Sequence, residues 1–496
     1  MSNLVHLNLD GTNFSLADEV MRSMAAFPSL RFLSLEYSEL GGSLFANELP
    51  NLPDLEVLLL SFNNFNGTLP MEALASFHHL EVLDLTYNNF IGSIPSTIKL
   101  LSSLKVVSFA LNKLNGSLPH HGFCELKNLH ELDLYGNMFD GNLPQCFNTL
   151  SSLNSFSNHT KLKVVQFISN NDKFEVETEE PIGWIPKFQL SVLVLSKCNI
   201  NKPKGTVLPG FLLMQHKLHI LDMSHNSIQG QFPNWLIENN TMLEVLNLRN
   251  NLFSGTIMLS HKNQNIRIPK FLGELSNLRI LLLGKNNFTG SIPKQLCRLT
   301  NVTLLDLSSN SLSGDIPDEL GLLTQIRIMN LSHNMLTGRI PLKLSNLTNM
   351  ESLDLSSNCL TGKVPQELTK SATAYNNLSG KLPEMKAQFS TFTKESYQGN
   401  PLLCGPPLEK KCTTESHKTY PSNKEETYEQ WYDVDLTSFY GSCGSTWFVF
   451  MFGFATLLYI HPYWRRRWLD LVEECMYTCY YYLCDLVRKL VMLFLK

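Results

Sequence analysis

Apolar and polar positions recur along this chain in one figure. It reads Leu80-x-x-Leu83-x-Leu85-x-x-Asn88-x-Phe90-x-Gly92-x-Ile94-Pro95, and further full copies start at Leu129, Leu243 and Leu278. The figure returns about every 24 residues, from near the first residue to about residue 383. Self-similarity at that period predicts a solenoid, in which each turn buries its apolar edge against the next. The Leu-x-Leu alternation predicts a short strand per turn, with Leu83 and Leu85 facing in and Asp84 and Thr86 facing out. Stacked, these strands form a parallel sheet on the concave side. The position usually filled by Asn sets the phase: Thr12, Ser38, Asn63, Asn88, Asn112, Asn137, Asn170, Cys198, Asn226, Asn251, Asn286, Asn310, Asn334, Asn358 and Asn376. That series predicts fifteen turns. An Asn side chain both donates and accepts, so the column can satisfy backbone groups where each strand turns.

Leu-x-x-Leu-x-Leu-x-x-Asn is the leucine-rich repeat signature, in which Cys, as at Cys198, is a recognised substitute for the Asn. The tail Gly-x-Ile-Pro, as in Gly92-Ser93-Ile94-Pro95 and Gly338-Arg339-Ile340-Pro341, resembles the plant extracellular subtype. That resemblance implies a second short strand per turn and a superhelical twist. The expected fold is an α/β solenoid of this plant type. Three spacings break the period: 33 residues from Asn137 to Asn170, 35 from Asn251 to Asn286, and 18 from Asn358 to Asn376. The acidic run Glu175–Glu180 in the first predicts a surface loop, and the polar stretch His261–Asn265 accounts for the second. The third lacks a Leu-x-x-Leu-x-Leu strand before Asn376, which predicts missing sequence, because a continuous sheet does not lose a strand without cost.

Beyond residue 383 the pattern stops. Residues 384–412 hold Cys404 and Cys412, eight positions apart, either a disulfide-closed cap or two unpaired thiols. An acidic linker occupies 413–436, with Glu425, Glu426, Glu429, Asp433 and Asp435. Residues 437–460 carry no charge and are long enough to cross a bilayer as a single transmembrane helix. Arg465-Arg466-Arg467 places the C-terminal side of that span in the cytoplasm. The stub 461–496 is too short for a kinase. It carries an apolar stripe at helical spacing (Leu469, Val472, Met476, Cys479, Leu483, Leu486, Leu490, Leu493), which predicts a helix lying on the inner leaflet.

Charge and composition narrow the function. A net charge of −4 without a basic stripe argues against nucleic acid. No Ser/His/Asp constellation, metal-ligand cluster or phosphate loop stands out, so neither enzyme nor cofactor is expected. Asn-x-Ser/Thr acceptors occur at Asn13, Asn66, Asn115, Asn158, Asn239, Asn287, Asn301, Asn330, Asn346 and Asn377, all before the expected span. Met1 opens directly into a repeat, with neither a secretion signal nor a paired-cysteine cap ahead of it, and reads as an N-terminally truncated member.

Taken together with Gly399-Asn400-Pro401-Leu402-Leu403-Cys404-Gly405-Pro406-Pro407-Leu408, these parts resemble the plant leucine-rich-repeat receptor-like proteins, kinase-less cell-surface receptors. The resemblance implies that Cys404 and Cys412 pair and that the repeats are extracellular. It also implies a peptide, protein or glycan ligand, and signalling in defence or development through partner receptor kinases as adaptor and co-receptor. Two other readings are an extracellular inhibitor of pathogen cell-wall-degrading enzymes and a degenerate copy. No long island interrupts the last four regular repeats, Asn286 to Asn358, where many members of that family carry one.

One column is a candidate contact surface. The position before the Asn reads Tyr37, Phe62, Tyr87 and Leu111 in consecutive turns, an apolar series expected on the concave face. Later turns carry Ser309, His333 and Ser357 there, a smoother surface suited to a co-receptor.

Overall fold

The structure, a computed structural model, describes residues 3–14, 17–44, 52–142, 160–169, 173–178, 186–202, 207–257, 277–365, 368, 371–382 and 393–412. The repeats build one parallel sheet of 15 strands whose order along the sheet follows the chain. It begins with β1 (His6–Asn8), β2 (Phe32–Ser34), β3 (Val57–Leu59), β4 (Val82–Asp84) and β5 (Val106–Ser108). It continues through β6 (Glu131–Asp133), β7 (Val164–Ile168), β8 (Val192–Ser196), β9 (Ile220–Asp222) and β10 (Val245–Asn247). The last five are β11 (Ile280–Leu282), β12 (Leu304–Asp306), β13 (Ile328–Asn330), β14 (Ser352–Asp354) and β15 (Ser371–Ala372).

Alternation sets the faces as expected: Leu83 and Leu85 are buried, while Asp84 and Thr86 are half-exposed. After the strand most turns make the second short strand that Gly-x-Ile-Pro implied, as at Asn89–Gly92, Asn287–Gly290 and Ser311–Asp315. The isoleucines Ile94, Ile292, Ile316 and Ile340 are buried. Each is followed by a proline that starts a 3-10 turn such as Ser96–Leu100 or Lys294–Arg298. Proline suits that place because the first residues of a helical turn have no N–H partner to lose.

The Asn column ties each turn to its neighbours. Asn88 Nδ2 donates to the carbonyls of Leu60, Leu85 and Thr86 at 3.0, 3.2 and 3.2 Å, and its Oδ1 accepts from the Phe65 N–H at 3.0 Å. Asn112, Asn334 and Asn358 repeat this set. Where the residue differs, fewer bonds are made. Ser38 Oγ reaches the Leu9 and Glu36 carbonyls, and the Cys198 thiol reaches those of Phe167 and Ser196. Asn170 lies outside the described residues.

Two expectations change. The strand thought missing before Asn376 is present as β15, which pairs Leu353 with Ser371 and Asp354 with Ala372. Pairing draws on backbone groups, so no leucine is required: the Leu355 and Ser357 N–H groups donate to the Ala372 and Ala374 carbonyls at 2.8 Å each. Thr373 fills the inward position and is fully buried. The acidic run, expected as a loop, starts as a strand. Phe174–Glu175 pairs with Gly141–Asn142, and Phe174 and Val176 are buried in the core.

The column also runs one turn further than the leucine pattern. Asn400 donates to the Thr373 and Tyr397 carbonyls at 2.9 and 3.0 Å and accepts from the Leu378 N–H at 3.0 Å. Leu402–Cys404 pairs with Asn377–Lys381 beside it, and Cys404 is disulfide-bonded to Cys412. The repeats and this closing segment form one compact unit, Met1–Thr414. Among the described residues no helix is long and apolar enough to cross a membrane. The linker at 413–436, the expected span at 437–460, the stub at 461–496 and the stretch His261–Asn265 all lie outside them.

Candidate ligand-binding face

Tyr37, Phe62, Tyr87 and Leu111 come together as a ladder, in the turns that leave β2, β3, β4 and β5 rather than on the strands themselves. All four are left-handed, with φ of 54, 54, 53 and 52°. That conformation costs a side-chain-bearing residue roughly 1–2 kcal/mol, and the next turn holds it in place. The N–H groups of Tyr37, Phe62 and Tyr87 donate to the carbonyls of Ser61, Thr86 and Ala110 at 3.1, 2.9 and 2.9 Å, and Leu111 donates to Tyr135 at 2.6 Å.

The rings stack. Tyr37 and Phe62 lie 4.3 Å apart at 8°, and Phe62 and Tyr87 lie 5.0 Å apart at 19°. Each such pair contributes about 0.5–1.5 kcal/mol beyond its buried area. Even so, the four side chains stay 42, 37, 42 and 39% exposed. The ladder ends at Gly136, where a Cβ would fall 2.8 Å from Leu111 Cδ2, so Leu111 lies over a position that only glycine leaves open.

A row of carboxylates flanks the ladder, a feature that reading one column at a time missed. Asp10 accepts from Ser34 Oγ and from the Glu36 N–H, and Glu36 accepts from Ser61 Oγ. Asp84 and Asp133 accept from the N–H groups of Thr86 and Tyr135 at 2.8 and 3.0 Å. Among the described residues none of the four takes part in an ion pair. The column just ahead of the strands contrasts with this, since Arg31 pairs with Glu56 and Lys105 with Glu81. Crowding leaves its mark on the row. Burial pushes the Asp133 carboxyl up to about 6, opposed by the Tyr135 N–H and reinforced by Asp84. Burial also raises Glu36, with Asp10 and Asp84 adding to the shift against the Ser61 hydrogen bond.

The sign reverses further along. The ladder position is taken by Lys197, His225, Asn250 and Lys285 in the turns after β8 to β11, all left-handed and exposed. Neither Lys197 nor Lys285 is in an ion pair among the described residues. Burial depresses His225, and the charges of Lys197, Arg249 and Lys285 depress it further. Arg249 reaches across the intervening turn to Asp306 at 2.7 Å. Gly284 makes room for it, since a Cβ there would meet Asp306 Oδ2 at 2.6 Å. Beyond this point Ser309, His333 and Ser357 occupy the column, followed by Tyr375.

Of the ten glycosylation acceptors, Asn13, Asn66, Asn115, Asn287, Asn301, Asn346 and Asn377 are exposed. Asn239 and Asn330 are half-buried, and Asn330 lies on β13 with its Oδ1 held by Ser332. Asn158 lies outside the described residues.

A leucine rich repeat family model matches residues 276–336, and a second matches 79–101, 128–150, 217–238 and 349–371. Receptor-like protein 13 of Arabidopsis thaliana is 50% identical over 99 residues, 20% of this chain and 9% of that protein. Receptor-like protein 15 of the same plant is 38% identical over 146 residues, 27% of this chain and 14% of that protein. The matched stretches thus span about a tenth of those relatives' length. The solved plant peptide hormone receptor RGFR1 in complex with RGF2 shares the fold, with a TM-score of 0.50 and 24% identity over 77% of this chain and 65% of that one. Repeat motif and sheet make this chain a leucine-rich-repeat solenoid, and in the stretches that match it is similar to plant receptor-like proteins.

Proposed function

We propose that this chain is a cell-surface receptor that holds its ligand on the repeats and signals, in defence or development, through partner receptor kinases. The observation that carries the reading is the exposed aromatic ladder beside unpaired carboxylates. Large apolar side chains left facing water at one place mark contact surfaces, because buried aromatic anchors dominate binding energy. The relatives are named receptor-like proteins, and the uncharged stretch 437–460 followed by three arginines fits a membrane anchor with the repeats outside. Exposed acceptors such as Asn66, Asn287 and Asn346 suit glycosylation of an extracellular domain. Holding a partner through a face of this kind calls for no catalytic group and no cofactor.

The test is expression of the full chain, tagged at its C-terminus, in plant leaf cells. The expected result is labelling by a membrane-impermeant reagent, a mobility shift on enzymatic deglycosylation, and receptor kinases in the purified complex. Full protection from the reagent, with no kinase recovered, would overturn the reading.

A further inference from the structure

On the flank just ahead of the strands, charge is matched from turn to turn: Arg31 with Glu56, Glu81 with Lys105, Glu244 with Arg279 and Arg327 with Glu351. The matching lapses between Lys105 and Glu244. There the position reads His130, Lys163, Ser191 and His219, each immediately before its strand, from β6 to β9. The N–H groups of these four donate to the carbonyls of Lys105, His130, Lys163 and Ser191 in turn, at 2.7, 2.8, 2.7 and 2.8 Å, so the line is continuous. Lys161 and Lys217 stand two positions earlier in their turns. Lys161, Lys163 and Lys217 are exposed, and among the described residues none of the three takes part in an ion pair. Lys127 and Lys187 add to the charge, while Glu125 and Glu131 are the acids of these segments. Burial depresses His130, and Lys161, Lys163 and Lys105 depress it further against Glu131, so these charges converge on one place.

Between the cations stand Asn128, Gln189 and Ser191, polar and half-exposed. Asn128 Oδ1 accepts from Lys161 at 3.3 Å, Gln189 Nε2 donates to the Met214 carbonyl at 2.7 Å, and Ser191 Oγ lies 3.2 Å from His219 Nδ1. Each keeps lone pairs or N–H groups for a further partner. Residues 101–106, 125–131, 160–164, 187–192 and 215–220 hold no exposed large apolar side chain; Leu213 and Met214 close the 3-10 turn Gly210–Met214 just before the last of these segments. A protein partner takes its affinity from aromatic or aliphatic anchors at the centre of the contact, and this surface offers none. Unmatched positive charge interleaved with hydrogen-bonding groups suits instead a polymer that repeats carboxylates and hydroxyls.

We infer that the flank ahead of β5 to β9 is a second binding surface, and that it takes an acidic polysaccharide, a polyuronate chain. The carboxylates of the chain meet Lys161, Lys163 and Lys217, and its hydroxyls meet Asn128, Gln189 and Ser191. The four strand steps from β5 to β9 make the patch about 19 Å long. Several sugar units lie across it at once, so exposed charge contacts that are weak singly add up along the polymer. The surface uses none of the ladder residues, and binding there tethers the repeats to polymer while the ligand-binding face stays open.

The test uses the full chain in phosphatidylcholine nanodiscs, with binding measured by calorimetry. The probe is a galacturonate decamer. Its comparisons are the same decamer with the carboxyls methyl-esterified and a glutamate decapeptide. The expected result is decamer binding that weakens roughly tenfold as salt rises from about 0.05 to about 0.3 M, weaker binding of the glutamate peptide, and no binding of the ester. Lys161→Gln, Lys163→Gln and Lys217→Gln together weaken the decamer roughly tenfold without lowering the melting temperature. Lys113→Gln, Lys363→Gln and Lys381→Gln together remove the same charge from exposed positions at the second strands and leave decamer binding unchanged.

No decamer binding at low salt, equal binding of the ester, equal or tighter binding of the glutamate peptide, or equal loss in the two triple variants would each overturn the inference. A chain that is labelled at the cell surface and recovers kinases yet fails here refutes the polysaccharide surface alone. A chain that binds the decamer as expected but recovers no kinase refutes the receptor reading alone.

Discussion

Asn334→Ala isolates what one member of the Asn column contributes. Its Nδ2 donates to the carbonyls of Leu307, Leu331 and Ser332 at 3.0, 3.1 and 3.1 Å, and its Oδ1 accepts from the Leu312 N–H at 3.0 Å. The side chain is buried, so water does not replace these partners. Two of them depend on it most. The Leu307 carbonyl belongs to the preceding turn, and the Leu312 N–H lies in the second strand of that same turn, Ser311–Asp315. Each buried polar group left unsatisfied costs about 1–3 kcal/mol, which gives about 2–6 kcal/mol for the pair. Asn334→Ser keeps one donor, as Ser38 does, and is expected to lie near the lower end. In a repeat array each turn is stabilised chiefly by its neighbours, so the loss is local. Hydrogen exchange followed by mass spectrometry should show peptides covering Leu307 to Leu312 opening by that amount, while peptides around β3 to β5 stay unchanged. A change under about 1 kcal/mol at Leu312, or equal loosening along all turns, would refute the claim that the column clamps adjacent turns.

Two further predictions concern groups whose burial is poorly compensated. Asp133 titrates near 6 in the fold against 3.8 ordinarily, so the folded state binds its proton more tightly than the unfolded state does. Its charge therefore costs nothing below about pH 4 and costs increasingly up to and beyond pH 6, reaching 2.2 × 1.36, or about 3 kcal/mol, as an upper bound. Asp133→Asn keeps an acceptor for the Tyr135 N–H and should raise stability at pH 7.5 but not at pH 4, read from denaturant midpoints; an equal gain at both would contradict the assignment. Thr373→Val exchanges a fully buried hydroxyl, one with no hydrogen-bond partner among the described residues, for a methyl of similar size. It should stabilise the turn at β15 by about 1 kcal/mol, and a lower melting temperature would show that the hydroxyl is satisfied after all.

What the sequence determined by itself is whatever a turn repeats. Leu at alternate positions and Asn at the turn are local demands that recur along the array, so the parallel order of the strands could be read from spacing, while the second strand followed from the resemblance that Gly-x-Ile-Pro carries. The ladder was legible for the same reason, since one column of consecutive turns becomes one line of neighbours in a stacked sheet. Tertiary structure alone decided what depends on adjacent turns. β15 has no leucine signature and exists because the β14 backbone needs partners. Asn400 continues the column inside a segment whose residues look unlike a repeat. The left-handed backbone of Tyr37, Phe62 and Tyr87 is held by carbonyls one turn away, and it turns their rings onto one another instead of onto the sheet. The carboxylate row and the reach of Arg249 over Gly284 to Asp306 join residues from different columns and turns, 57 positions apart in the second case. Periodicity records which side of the sheet a residue faces; which charges meet there depends on side-chain length and on what the neighbouring turn leaves open.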